Sequence, residues 1–202
     1  MDQRLFLEEL NQLDLLAINQ RMETASLSDV ERVLFRPVSS LEDFAVLISP
    51  VAQDKLEELA QQAQKMTRLR FGPTVKLYVP LYISNACVKA CQYCGFNVRN
   101  DITRSTLSLE QVLKEARHLS EQGFRHLLLV SGESRHEVPV SFIEEVVKAI
   151  SDQFAAISIE VYPMSEDEYR RLGEAGVTGI TIYQETYDRQ VYDQVHEGPK
   201  AD

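Results

Sequence analysis

The run Val75-Lys76-Leu77-Tyr78-Val79-Pro80-Leu81-Tyr82-Ile83-Ser84-Asn85-Ala86-Cys87-Val88-Lys89-Ala90-Cys91-Gln92-Tyr93-Cys94-Gly95-Phe96 passes from a β-rich segment straight into three cysteines spaced C-x3-C-x2-C. Branched and aromatic residues from Val75 to Ile83 predict a strand, so the cysteines occupy the loop at its end. Cys87, Cys91 and Cys94 are the only cysteines in the chain. Three soft thiolates on one loop can grip one metal centre. An iron-sulfur cube has four irons, so three thiolates leave one iron open to bind a small molecule.

Downstream of the cysteines the pattern alternates between helix and strand. Ser108 and Gln111 predict a capped helix with Leu109, Val112, Leu113, Ala116 and Leu119 as its buried stripe, stopping at Gly123. His126 to Val130 reads as a second strand. Ser141 with Glu144 predicts the next cap, ahead of Phe142, Ile143, Val146, Val147 and Ile150, and Ile157 to Tyr162 supplies a third strand. Ser165 with Glu168 caps a helix ending near Gly176, Gly179 to Tyr183 is a fourth strand, and a short helix follows through Val191 and Val195. Regular βα succession implies right-handed crossovers and a parallel sheet. Its loops place Ser131-Gly132-Glu133, Glu160 to Pro163, and Gln184-Glu185-Thr186 at the same end as the cysteines.

Upstream, residues 1–70 read as a helical N-terminal extension, and residues 71–202 as the α/β part. Ser28 with Glu31 has a capping-box spacing. Ser49 before Pro50 predicts a helix start ahead of Leu56, Leu59, Ala60, Ala63 and Met66, an apolar stripe expected to pack in a core.

Composition narrows the function classes. The chain has 202 residues, 44% hydrophobic and 26% charged, with a formal net charge of -10 and a pI near 4.9. It supplies no basic face for phosphate neutralisation, which argues against nucleic acid as a partner. No apolar run approaches the roughly eighteen residues of a membrane span, and the Met1-Asp2-Gln3 start lacks a secretory charge pattern. The expectation is a cytoplasmic protein with small-molecule or protein partners. An odd, clustered set of cysteines makes a poor disulfide framework but suits a metal cluster in a reducing compartment.

Two other metal chemistries compete for the thiolates. A closed structural zinc site takes four ligands, and His118, His126, His136 and His196 are scattered through the sequence. A ferredoxin cube takes a fourth cysteine. Ser131-Gly132-Glu133 on its own would be a surface turn, and Glu185 has an alternative as a helix N-terminal charge. Arg99 and Arg104 lie just beyond the cysteine loop, where each can meet a carboxylate or stay solvated.

C-x3-C-x2-C with Tyr93 before the last cysteine resembles the signature of the radical S-adenosylmethionine enzymes. The resemblance implies that Cys87, Cys91 and Cys94 hold a 4Fe-4S cluster whose open iron chelates S-adenosylmethionine, with Tyr93 near adenine. It also implies electron transfer that cleaves the sulfonium to a 5'-deoxyadenosyl radical. Ser131-Gly132-Glu133 resembles the family's GGE motif, so Gly132 allows close approach and Glu133 accepts from the ligand ammonium. Glu160 and Tyr162 are then candidates for the cofactor's hydroxyls, and Glu185 for an ammonium.

Tyr82 to Asn85, Tyr93 to Phe96, Leu127 to Glu133, Glu160-Val161-Tyr162-Pro163 and Tyr183 to Tyr187 narrow the resemblance to the 2-iminoacetate synthases, the tyrosine lyases of thiamine biosynthesis. That implies cleavage of L-tyrosine to p-cresol and 2-iminoacetate (dehydroglycine), delivered to a thiazole synthase, with a flavodoxin or ferredoxin type reductant. The related tyrosine lyase of hydrogenase maturation shares many of these motifs but carries extra C-terminal cysteines. A full barrel of this type needs about 250 residues, so the expected fold is a partial TIM-type (β/α) barrel of about four βα units. The stretch from His196 to Asp202 then looks like an interruption in mid-barrel. A noncatalytic cluster-binding fragment, half of a split enzyme and a zinc module remain as alternative readings.

Overall fold

In the computed structural model, residues 6–38 and 40–197 are described, and the chain divides into two units, residues 1–74 and 75–202. The first is helical: α1 (Phe6–Gln12), α2 (Leu15–Thr24), α3 (Leu27–Leu34), α4 (Leu41–Leu47), a 3-10 turn over Pro50–Lys55, and α5 (Leu56–Phe71). Its small core joins Val30 and Val33 of α3 to Val46 and Ala52.

Three sequence expectations for this unit are corrected. The capping box belongs to Ser26 and Asp29 rather than Ser28 and Glu31; Ser26 Oγ accepts from the Asp29 amide, and Asp29 Oδ2 accepts from the Ser26 amide. Both pairs have the required spacing, but only Ser26 has the extended backbone that an N-cap needs. Ser49 stands at the N-cap position ahead of Pro50 as expected, but its hydroxyl donates to the Val46 carbonyl rather than capping, and the helix that starts there is a 3-10 turn leading into α5. The α5 stripe is not core: Leu59 packs at the edge of the small cluster, while Leu56 and Met66 are exposed. Within the unit, α5 meets α3 and the 3-10 turn before it.

The second unit is a four-stranded, all-parallel sheet in the order β1-β2-β3-β4: β1 (Val79–Ser84), β2 (His126–Ser131), β3 (Ala156–Glu160) and β4 (Val177–Ile180). Helices α6 (Leu109–Glu121), α7 (Val140–Ile150) and α8 (Glu166–Ala175) make the crossovers, and α9 (Arg189–Val195) follows β4. Order equal to sequence order, every step parallel, is the arrangement of a barrel wall, here a partial (β/α) barrel. Ile83, Leu127, Leu129, Ile157 and Ile159 point to the helical layer and are essentially fully buried against Val112, Ile143, Val147 and Leu172. By the two-residue alternation of strands, Ser158 and Glu160 face the other side.

Ser108–Gln111 and Ser165–Glu168 form the capping boxes expected of α6 and α8, and Gly176 ends α8 in the left-handed region. Ser141 caps nothing. Pro139 is the N-cap of α7, one residue before the helix starts at Val140. The strands also sit slightly off their expected limits, β1 beginning at Val79 and β4 at Val177. Among the described residues no helix is long and apolar enough to cross a membrane.

Candidate active site at the carboxyl ends of the strands

The cysteine loop leaves β1 and is held by its own hydrogen bonds. Cys94 N donates to the Cys91 carbonyl at 3.1 Å, Asn97 N to the Cys94 carbonyl at 3.1 Å, and Val98 N to the Lys89 carbonyl at 2.8 Å. Buried Asn97 also donates from Nδ2 to the Cys91 carbonyl at 2.9 Å. These turns leave all three thiols free, Cys91 buried and the other two partly exposed. The amide of Lys89 points at Cys87 Sγ and that of Phe96 at Cys94 Sγ, both at 3.4 Å. Burial pushes the Cys91 thiol up, the Tyr93 hydroxyl opposes this, and neighbouring Cys87 and Cys94 push it further up. Three thiolates packed this way favour a cationic centre that would neutralise them.

Arg104 is neither a carboxylate receptor nor solvated. Its guanidinium donates to the carbonyls of Asn85 (2.9 Å), Phe96 (2.8 Å), Asn97 (2.7 Å) and Asn100 (3.3 Å), tying the entrance of the cysteine loop to its exit. Arg99 does meet a carboxylate, Glu197, at 2.5 Å on the surface.

The loop after β2 closes against this one. Gly132 N donates to the Ser84 carbonyl at 3.1 Å, and Val88 N to the Glu133 carbonyl at 2.9 Å. A Cβ on Gly132 would stand 2.3 Å from the Ala86 carbonyl oxygen and 3.1 Å from Cys87 Cβ, so only glycine fits the close approach. Beside it, the hydroxyl of Ser131 is buried without a hydrogen-bond partner. Glu133 pairs with the nearly buried ammonium of Lys89 at 3.2 Å.

These loops surround a cleft of about 820 Å³. Lys89, Ser131, Glu133, Glu160, Tyr162, Glu185 and His196 all line it, so the polar groups that follow β2, β3 and β4 share one space with the cysteine loop. Tyr162 is a wall: its ring is buried, its hydroxyl donates to the Val138 carbonyl at 2.6 Å, and Arg135 lies over its face at 4.8 Å. Arg135 also grips Glu168 through both guanidinium nitrogens and holds that carboxyl down at about 2. Burial, then the charge of Glu185 and that of Cys91, pushes the Tyr93 phenol well up, so it keeps its proton.

Lys89, Asn97, Arg104 and His196 were not legible as site residues. His196 in particular is brought beside Cys91 from 105 residues along the chain, its Nδ1 at 3.5 Å from Sγ. Among the described residues, however, no three histidine, cysteine or carboxylate side chains are gathered to hold a single metal ion. A cube differs in offering each thiolate its own iron. Three free thiols on one loop, a glycine cradle against that loop and an unsatisfied hydroxyl at its edge together fit such a cluster with a polar ligand on its open iron.

The sequence profile described as the Radical SAM superfamily matches residues 81–202. The chain is 41% identical to the 2-iminoacetate synthase of Escherichia coli K12 over 98% of its own length and 52% of that protein. It is 30% identical to the 3-methylornithine synthase of Methanosarcina acetivorans over 78% of its length and 45% of that protein. Among solved structures, HydG, a maturase of the FeFe-hydrogenase, superposes with a TM-score of 0.81 at 29% identity, covering 93% of this chain and 45% of HydG. The chain thus spans about half the length of the curated relatives it matches.

Proposed function

The chain belongs to the radical SAM superfamily, and from that premise we propose that the protein is a 2-iminoacetate synthase, cleaving the Cα–Cβ bond of L-tyrosine to 2-iminoacetate and p-cresol for the thiazole of thiamine. The observation that carries this reading is the 41% identity to the Escherichia coli synthase across nearly the whole chain. The cleft supports it, because Ser131, Glu133, Glu160 to Pro163, Tyr183 and Glu185, all quoted for the resemblance, line that one space. When bound, the cluster supplies one electron, and S-adenosylmethionine supplies the adenosyl group that takes a hydrogen atom from substrate.

The chain's own residues do the holding. Cys87, Cys91 and Cys94 are the cluster ligands. Gly132 lets the β2 loop close on them, and Ser131 offers its unpartnered hydroxyl to the ligand's carboxylate. Glu133 accepts from the ligand ammonium, leaving Lys89 to keep the local charge balanced. Glu160, on the strand face turned away from the helices, accepts from ribose hydroxyls. Tyr162 shapes the wall beside it, Tyr93 covers adenine, and Glu185 takes the ammonium of the substrate amino acid. Residues 1–70 serve as a helical extension to the barrel. A thiazole synthase is the expected recipient of 2-iminoacetate, and a flavodoxin or ferredoxin type protein the electron donor.

Anaerobic iron-sulfur reconstitution, followed by assay for 5'-deoxyadenosine and p-cresol with tyrosine and reductant, tests the reading. Both products support it. A cluster with neither product would favour a binding portion that needs further chain to complete the barrel, and well-folded protein carrying zinc and no iron would reject the assignment.

A narrower test concerns Ser131. Deleting a buried hydroxyl with no partner removes an unrewarded desolvation cost, so Ser131→Ala is expected to melt no lower than the wild type. The same change should weaken S-adenosylmethionine binding to the reconstituted protein by about fivefold, the loss of one hydrogen bond. A lowered melting temperature with unchanged affinity would overturn the assignment.

A further inference from the structure

We infer that His196 is a positioning residue for the cluster, holding the Cys91 corner and the Tyr93 ring together through its imidazole; this rests on the cluster assignment above. The three sulfurs are not served alike. Cys87 and Cys94 each face a backbone amide two residues on, at 3.4 Å. For Cys91 the N–H comes from across the fold, from the residue that ends α9.

The Tyr93 hydroxyl lies 2.7 Å from His196 Nδ1, and the ring nitrogens stand 3.5 Å (Nδ1) and 3.8 Å (Nε2) from Cys91 Sγ, so either tautomer places an N–H beside that sulfur. The imidazole is itself held in plane, stacked on Tyr192 at 4.5 Å between centroids. The backbone secures the same junction. Gln92 N donates to the Val195 carbonyl at 2.9 Å, Ala90 N to the Glu197 carbonyl at 2.8 Å, and Gln92 Nε2 to the Gln194 carbonyl at 2.8 Å. The segment after β4 is therefore fastened onto the cysteine loop at Ala90 and Gln92, on either side of Cys91.

Hydrogen bonds to ligating sulfur favour the reduced, more negative cluster. His196 thereby sets how readily the cluster accepts its electron.

The test is a redox titration of the reconstituted full chain, reading the reduced cluster by electron paramagnetic resonance. His196→Phe keeps a ring to stack on Tyr192 and removes both nitrogens. It is expected to bind iron and sulfide like the wild type, yet show a reduced fraction at fixed dithionite lower by about threefold or more, with shifted g-values. His196→Gln, which restores an N–H donor, should recover most of the signal. If His196→Phe fails to hold iron, recovery by His196→Gln still supports the donor role. Wild-type reduction and g-values in His196→Phe, or iron loss in both variants, would overturn it. Failure of the wild type to form any cluster would instead defeat the function proposed above.

Discussion

Arg104→Ala is expected to destabilise the protein by about 3 kcal/mol, more than a solvated arginine would cost. The guanidinium donates to four carbonyls, Asn85 before the first cysteine and Phe96, Asn97 and Asn100 after the last. Each hydrogen bond to a charged group contributes about 1.5–3 kcal/mol singly, but four on one fork are not additive, and water can reach some of the freed carbonyls. A change of this size lowers the melting temperature by about 6–12 °C for a domain of this size. Arg104→Lys should recover little, because an ammonium cannot reproduce the planar fork that spans both ends of the loop. Arg99→Ala is the internal contrast. Its partner is the partly exposed Glu197 and its own side chain is 64% exposed, so its removal should cost no more than about 0.5 kcal/mol. Thermal unfolding of the two variants side by side decides the matter: equal melting temperatures would show that Arg104 does not clamp the loop.

These two arginines show where sequence reading reached and where it stopped. They follow Cys94 by five and ten residues, and nothing local separates a clamp from a surface charge. The difference arises because the chain from Phe96 to Asn100 turns its carbonyls toward one side, which only the folded loop reveals. Elements with strong local codes were legible. Ser108–Gln111 and Ser165–Glu168 cap α6 and α8 as their spacing requires, and the alternation of four strands with helices specified the parallel sheet. Weaker codes failed for separate reasons: Ser26, with the same hydroxyl, displaced Ser28 as a cap, whereas α7 already starts at Val140 behind Pro139, so Ser141 lies inside the helix and has no end to cap. The α5 stripe has helical spacing, yet periodicity says which face is apolar and not whether anything covers it. His196 was illegible for a different reason. Its proximity to Cys91 depends on β4 and α9 delivering a residue 105 positions away, and no short-range pattern encodes that distance.

Gly132→Ala should be more damaging to the site than its single added methyl suggests. The new Cβ would lie 2.3 Å from the Ala86 carbonyl oxygen and 2.9 Å from its carbon, both backbone atoms immediately before Cys87. A side chain could rotate away, but this neighbour moves only if the cysteine loop moves. Displacing it strains the Gly132 N–Ser84 O and Val88 N–Glu133 O bonds that join the two loops. Overpacking of this kind costs about 1–3 kcal/mol, and here that cost falls on the segment that spaces the thiolates. The expected result is a melting temperature lower by about 2–12 °C and, after anaerobic reconstitution, iron per chain reduced by about tenfold or more. Gly95→Ala supplies the control: it alters a glycine directly after Cys94, but a Cβ there meets nothing within 4 Å, so iron content and stability should stay near wild type. Were both variants to reconstitute fully, the close approach of the two loops would not be what spaces the cluster ligands. Were both to lose iron, the motif would be intolerant of any change, and the specific contact between Gly132 and Ala86 would explain nothing. Only loss at Gly132 with retention at Gly95 ties cluster binding to the geometry of the β2 loop, because the two glycines differ in what their missing side chains would touch.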